Sequence, residues 1–342
     1  MVLFTEEAIK KLNNEGLLSK FSISVYKENK KIKNFDKFQN NNLFYIFSAG
    51  KPIIAAVIWK LVDMGKLDFE DKISKYWPEF GKNNKQEIKI KDVLTHTSGV
   101  SLSDSLPDED YTDLNRICRW LENYIPETKP GIRIAYHEVT YGWILGELIE
   151  RVTKRSFEEN FNELVKIPLN LLSTRFMTDK NNDLPLEINR GKSSNLNTIP
   201  MIFKLFSLNK IPLISGTCIS NSKDLALFYN EIINNNKWIN KETRRKIFKV
   251  QAKGIDYNDK MRFVKLGLGI RFDGDIYYQK DLDVSEMSFG HTGLVSSIGW
   301  ASSDKNISVS ILNNLLLSSG LNRYRLNTLS SAIKEDLNTM KL

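Results

Sequence analysis

A serine hydroxyl and a lysine amine stand three residues apart in Ser48-Ala49-Gly50-Lys51, where the apolar stretch Asn42-Leu43-Phe44-Tyr45-Ile46-Phe47 gives way to a helix-like run over residues 53–62. Three positions apart in a first helical turn, the two side chains share one face. A neutral amine there can take the hydroxyl proton, which makes Ser48 a candidate nucleophile. The pattern alone says little, because this lysine-rich chain contains Ser-x-x-Lys six times, starting at Ser24, Ser48, Ser207, Ser220, Ser302 and Ser331. Context separates Ser48: an aromatic and aliphatic strand precedes it and a strongly apolar helix follows, the strand-to-helix corner at which nucleophiles are presented. Without partners it would simply cap that helix. A free lysine has a pKa of about 10.4, so acting as a base near pH 7 needs a depression of about three units. Burial beside cationic or dipolar groups can supply it, and the exposed N–H groups of a first helical turn disfavour a nearby cation.

The elements that must position this pair can be read along the chain. Residues 5–18 read as an amphipathic helix capped by Thr5, and residues 21–26 alternate at period two before turning at Glu28-Asn29-Lys30 into residues 32–35, a hairpin. The helix after Ser48 runs to about Met64 and stops at Gly65. Helices and polar loops follow to about Asn209, including residues 111–124, 139–153 and 157–165, with a loop over residues 179–197. A helix at residues 224–234 leads to strands at 263–272, 275–279, 296–301 and 307–312 and a closing helix at 321–340. Strands near both ends imply one layered α+β domain built from residues 1–65 and 210–342, an antiparallel sheet flanked by helices. Residues 66–209 form an inserted, mostly helical domain, and the pocket is expected between the two.

At 342 residues, 41% hydrophobic and 26% charged, the composition is that of an ordinary globular protein with ample core. The start lacks a basic n-region and a long apolar h-region, and no run approaches the roughly 18 apolar residues of a membrane span, so a cytoplasmic protein without a membrane partner is expected. Cys118 and Cys218 can form at most one disulfide, and their spacing suggests no metal site. The net charge of +8 is spread over lysines interleaved with acids, without an aromatic and basic platform for nucleic acid.

Two further segments carry chemistry. Pro130-Gly131-Ile132-Arg133-Ile134-Ala135-Tyr136-His137-Glu138 ends in a tyrosine just before a helix-like run, and Ser288-Phe289-Gly290-His291-Thr292-Gly293-Leu294 precedes strand-like runs. Together with Ser48 and Lys51 they resemble the serine beta-lactamase and penicillin-binding-protein superfamily, in its class C and family VIII esterase branch. Its three motifs are Ser-x-x-Lys, Tyr-x-Asn and Lys-Thr-Gly or His-Thr-Gly, here Ser48 with Lys51, Tyr136-His137-Glu138 and His291-Thr292-Gly293. Asp92-Val93-Leu94-Thr95-His96-Thr97-Ser98-Gly99 resembles the family's Leu-Leu-x-His-x-Ser-Gly loop, and the three histidines of the chain, His96, His137 and His291, each fall within one of these motifs.

The resemblance implies an acyl-enzyme on Ser48, Lys51 as base and Tyr136 as the acid that relays the proton to the leaving group. It implies oxyanion donors in the backbone N–H groups of Ser48 and Leu294, and a substrate-binding edge formed by Glu138, His291, Thr292 and Gly293. Two departures bear on substrate. Glu138 stands where an asparagine would hold a substrate amide, and its carboxylate could raise the pKa of Lys51; His291 replaces a permanent cation suited to a substrate carboxylate. Both point to small esters rather than beta-lactams. The chain is therefore read as a serine hydrolase without metal or cofactor, a carboxylesterase on small esters. The alternatives are an acyltransferase, a D-amino-acid amidase or peptidase on the same residues, and a non-catalytic scaffold. His96 is expected to order its loop, and Trp300 to pack.

Overall fold

Two left-handed residues set the hairpin that opens the sheet. The computed structural model describes residues 3–36, 42–101, 113–176, 185–191, 214–258, 262–272, 288–294 and 297–339. Strands β1 (Phe21–Lys27) and β2 (Lys30–Asp36) pair antiparallel around Glu28 and Asn29, at φ 50° and 65°. Two such residues in succession twist in the same sense as the strands they join.

Helix α1 (Leu3–Asn14) precedes this hairpin. Beyond it come β3 (Phe44–Tyr45), α2 (Lys51–Asp63), α3 (Ile90–Leu94), α4 (Leu114–Asn123), α5 (Thr140–Thr153) and α6 (Phe157–Phe161). The short strands β4 (Arg175–Phe176), β5 (Asn189–Arg190) and β6 (Cys218–Ser220) lead to α7 (Ser222–Asn234) and α8 (Lys241–Ile247). The chain ends with β7 (Ala252–Asp256), β8 (Arg262–Leu266), β9 (Arg271–Phe272), β10 (Ser288–Thr292), β11 (Ile298–Ser302), β12 (Ile307–Asn313), β13 (Leu315–Leu316) and α9 (Ser319–Thr339).

The main sheet has eight antiparallel strands in the order β2-β1-β12-β11-β10-β9-β8-β7, so the opening hairpin is stitched to the last long strand. Register Ile23↔Ile311 and Val25↔Val309 sends these side chains to one face, against Leu12 of α1 and Leu326, Leu329 and Ile333 of α9. The opposite face carries short hydroxyls that let α7 lie close while keeping buried polar atoms paired. Ser22 and Ser24 Oγ lie 2.5 and 2.8 Å from Ser222 Oγ, and Ser308 Oγ donates to Ala226 O at 2.9 Å. This is the α+β arrangement of an antiparallel sheet flanked by helices. Helix α2 is apolar all round, as a central helix must be. Residues Lys51 to Trp59 are all buried in the core shared with α5 and α6.

Some elements differ from their sequence-based form. Thr5 does not cap α1 but lies inside it, buried; the cap comes from α9, where Asp336 accepts the N–H groups of Phe4 and Thr5 at 3.1 and 2.9 Å. The strand expected over residues 263–272 is two strands, β8 and β9. Between them Gly269 sits at φ 88°, where a Cβ would lie 2.3 Å from that of Ala55 on α2, so the chain turns to clear the helix. The strand expected at residues 275–279 and most of the loop expected at residues 179–197 lie outside the described residues, although β5 within the latter pairs parallel with β13. Among the described residues no helix is long and apolar enough to cross a membrane.

The Asp336 cap is purely tertiary, so Asp336→Ala should lower the unfolding free energy by about 1–2 kcal/mol. The urea midpoint measures the loss, and the rate at which Ser48 reacts with a fluorophosphonate should stay unchanged.

Candidate active site

Ser48 is not in the first turn of α2. Phe47–Gly50 form a 3₁₀ turn and the α-helix begins only at Lys51. In a 3₁₀ turn, positions i and i+3 eclipse, which points the two side chains in the same direction. Lys51 Nζ lies 3.1 Å from Ser48 Oγ. Phe47, immediately before the serine, is buried and left-handed at φ 48°, a conformation that costs a bulky residue about 1–3 kcal/mol and that only over-determined surroundings hold. Those surroundings are visible on both sides. Strand β3 pairs with β6, and Ile46 N–H donates to Cys218 O at 2.9 Å. On the other side Gly293 packs so closely that a Cβ would stand 2.1 Å from Ile46 O, while Ser297 Oγ donates to Tyr45 O at 3.0 Å. The turn that carries Ser48 and the loop that carries Leu294 thus meet backbone to backbone.

The Lys51 side chain is fully buried, and desolvation pulls its pKa from 10.5 down to about 7; the charge of Glu138 opposes the shift and that of Arg271 adds to it. Nζ donates to the backbone oxygen of Glu138 at 2.8 Å. A neutral amine has one lone pair, which is then left to accept the Ser48 hydroxyl proton. The Glu138 carboxylate is exposed, and no ion pair joins it to Lys51 among the described residues. Glu138 therefore serves the site through its carbonyl, while its carboxylate raises the lysine pKa only at a distance.

Tyr136 is brought to the same amine, whose Nζ lies 4.8 Å from the ring centroid. The end of the sheet places it: Ile134 bridges to Asp256 at the close of β7, and Asp256 Oδ1 accepts the Tyr136 N–H at 2.9 Å. From behind, the loop around His96 presses on the tyrosine, with the two rings 4.8 Å apart and His96 itself left-handed at φ 57°. His96 Nδ1 accepts the His137 N–H at 3.1 Å. Burial pulls the His137 imidazole down to about 4, so it is neutral at pH 7. Its Nδ1–H donates to Ala135 O at 2.6 Å, and Nε2 accepts from Ser98 Oγ at 2.5 Å. Both ring nitrogens of His137 are thus taken up, and the residue ties the second motif to the His96 loop.

His291 is buried, and desolvation, reinforced by the positive charges of Arg271 and Lys51, holds its imidazole well below the usual value, so it carries no charge near pH 7. Its Nδ1–H donates to Thr292 O at 2.7 Å, and its ring lies 5.9 Å from that of Tyr136. Thr292 and Gly293 are half-buried and Leu294 is exposed, along the strand edge that faces the Ser48 turn. Trp300 packs into the cluster beneath α1 and α9.

Sequence reasoning missed Arg271, Asp256 and Tyr141. Arg271 is buried beside Tyr136, and Tyr141 on α5 lies 5.9 Å from Lys51 Nζ, ring centroid to nitrogen. A cation inside the apolar run 266–272 was a legible signal for Arg271; nothing local marks Asp256. Among the described residues no group of three or more His, Cys, Asp or Glu is gathered that could hold a metal. Cys118 and Cys218 are separate, buried thiols.

Residues 6–329 match the Beta-lactamase family, and the chain belongs to it. It is 34% identical over 124 residues to the Esterase/beta-lactamase LipL of Mycobacterium tuberculosis, a match covering 36% of this chain and 29% of that protein. It is 30% identical over 170 residues to the Teichoic acid D-alanine hydrolase of Staphylococcus aureus, covering 46% of this chain and 41% of that one. The chain thus spans less than half the length of either relative. A family VIII carboxylesterase of known structure agrees at a TM-score of 0.82 over 97% of both chains, with 19% identity. Membership and the β-lactamase/transpeptidase-like α+β fold bear out the resemblance carried by the three motifs.

Two outcomes follow for this geometry. The rate at which a fluorophosphonate labels Ser48 should rise with pH through a midpoint of about 7, because the Lys51 amine 3.1 Å from Ser48 Oγ is able to accept a proton only in its neutral form, populated above its pKa. Gly293→Ala should slow labelling by about a hundredfold or more at every pH, since the added methyl forces the Leu294 loop off Ile46 O.

Proposed function

We propose that the protein is a serine hydrolase that forms an acyl-enzyme on Ser48 and acts on small carboxylic esters. The observation that carries this reading is the buried amine of Lys51, 3.1 Å from Ser48 Oγ and 4.8 Å from the Tyr136 ring centroid. In the first half-reaction Ser48 Oγ attacks the ester carbonyl as Lys51 takes its proton, and the tetrahedral oxyanion is met by the backbone N–H groups of Ser48 and Leu294. Tyr136 passes the proton to the departing alkoxide, and water then repeats the sequence on the acyl-enzyme. An alcohol or amine in place of that water would make the same residues an acyltransferase.

Esters are favoured over beta-lactams by the third motif. A neutral, buried His291 offers no permanent charge to a substrate carboxylate, and the second motif presents an exposed carboxylate where an amide-binding group would stand. The names of the relatives, an esterase/beta-lactamase, a D-alanine hydrolase and a carboxylesterase, support a hydrolase, and two of the three name esters. A second reading, a D-aminoacyl ester or amide as substrate, is favoured by the exposed Glu138 carboxylate two residues from Tyr136, which could pair with a substrate ammonium.

Ser48→Ala should lower p-nitrophenyl butyrate hydrolysis by about a thousandfold or more and abolish the mass gain of the intact protein with a fluorophosphonate. Full activity in that variant would refute the assignment, and rapid nitrocefin turnover by the wild type would refute the preference for esters. A higher kcat/KM for D-alanine methyl ester than for methyl butyrate, lost in Glu138→Gln, would select the second reading.

A further inference from the structure

Arg271 belongs to none of the three motifs, yet it is buried and reaches the site from the sheet. On β9 it pairs with Gly290 of β10, the residue before His291. Its guanidinium carbon lies 5.8 Å from the Tyr136 ring centroid, and Nη2 lies 3.9 Å from Asp256 Oδ2. The other oxygen of Asp256 accepts the Tyr136 N–H at 2.9 Å. Two charged residues from neighbouring parts of the sheet therefore converge on one tyrosine, the aspartate at its backbone and the arginine at its ring. Burying a guanidinium is costly even when it is paired, so stability alone is a weak account of it.

We infer that Arg271 is a positioning residue for acyl transfer: with Asp256 it holds the Tyr136 ring beside Lys51, and it places a buried positive charge at that edge of the site. The inference rests on the reading of Ser48 as nucleophile. Arginine suits the part because its planar cation lies over aromatic rings and stays charged at every working pH. Its charge also acts on Lys51 in a definite direction. The groups that face that amine are Ser48 from its own turn, Tyr136 and Glu138 from the loop before α5, Tyr141 from α5 and Arg271 from β9, with His96, His137 and His291 close behind. Glu138 favours the ammonium, whereas Arg271 disfavours it. Removing the guanidinium should therefore raise the pH above which the amine becomes a base.

The test compares the full-length wild type with Arg271→Met, Arg271→Gln and Arg271→Lys between about pH 5.5 and pH 9.5. It reads the rate of Ser48 labelling by a fluorophosphonate, and kcat and KM for p-nitrophenyl butyrate. For Arg271→Met the midpoint of the labelling rate should rise by about one pH unit. Its kcat at pH 7 should fall about fivefold, as the neutral fraction of the amine does when the midpoint moves from about 7 to about 8, and recover at high pH, with KM within about twofold. Arg271→Lys, which keeps the charge, should keep the wild-type midpoint. An unmoved midpoint in Arg271→Met, with the rate either normal or depressed equally at all pH values, overturns the inference, the second pattern being that of a merely structural residue. Should the methionine variant fail to fold, Arg271→Gln decides the same question by the same shift. A wild type that labels at Ser48 while the variants show no shift sinks this inference alone; a wild type that does not label at Ser48 sinks the proposed function with it.

Discussion

The structure is organised around an amine that cannot easily carry its charge. Lys51 is withdrawn from water at the start of the most buried helix, and its environment provides one strong acceptor, the carbonyl of Glu138, and one hydroxyl, that of Ser48. Ionised lysine in such a place is opposed by desolvation, and at about 7 its pKa lets both forms exist near neutrality. A neutral amine that donates to a carbonyl has its lone pair turned to whatever else is within reach, and here that is Ser48 Oγ. Ser48, Tyr136 and Glu138 are all arranged about this one amine.

Keeping the amine dry requires that α2 be covered on all sides, and the fold supplies the cover from separated parts of the chain. Helices α5 and α6 pack on it in the central core, and the turn at Gly269 brings the β8–β9 connection against Ala55. Trp59 Nε1 donates to Leu268 O at 2.7 Å, fixing that connection to the helix. The sheet can approach because its central strands, β1, β10, β11 and β12, are buried on both faces, with aliphatic side chains toward α1 and α9 and short serines toward α7. The same sheet ends at β7, whose last residue grips the backbone of Tyr136. Shielding the lysine and placing the Tyr136 ring are thus two consequences of one packing arrangement.

Electrostatics then distinguishes this site within its fold. Three imidazoles lie close together around Tyr136, and burial holds all of them neutral, so they serve as shaped hydrogen-bonding groups and not as charges. Their tautomers follow from their partners: His137 and His291 each donate from Nδ1 to a carbonyl, and His96 accepts at Nδ1. Fixed charge reaches the site instead from Arg271 and from the rim carboxylate of Glu138, which pull the Lys51 equilibrium in opposite directions.

The sequence by itself determined the elements and the local chemistry. Ser48 and Lys51 are three residues apart whatever the fold does; the turn at Glu28 and Asn29, the buried α2 and the closing α9 all follow from short-range pattern. Even there the detail was tertiary, since a 3₁₀ turn clamped by Cys218 O and Gly293, rather than an α-turn, sets the distance between hydroxyl and amine. What only the three-dimensional structure decided is which distant groups share the pocket. Glu138 was read from its carboxylate, but the chain turns that outward and offers its carbonyl. Asp336 caps a helix more than three hundred residues away, and Arg271 and Asp256 meet Tyr136 across strands that no local pattern pairs. Periodicity and spacing encode how a segment folds on itself, whereas the field at a buried amine is the sum of charges and dipoles delivered by packing, and packing joins residues without regard to their separation in the chain.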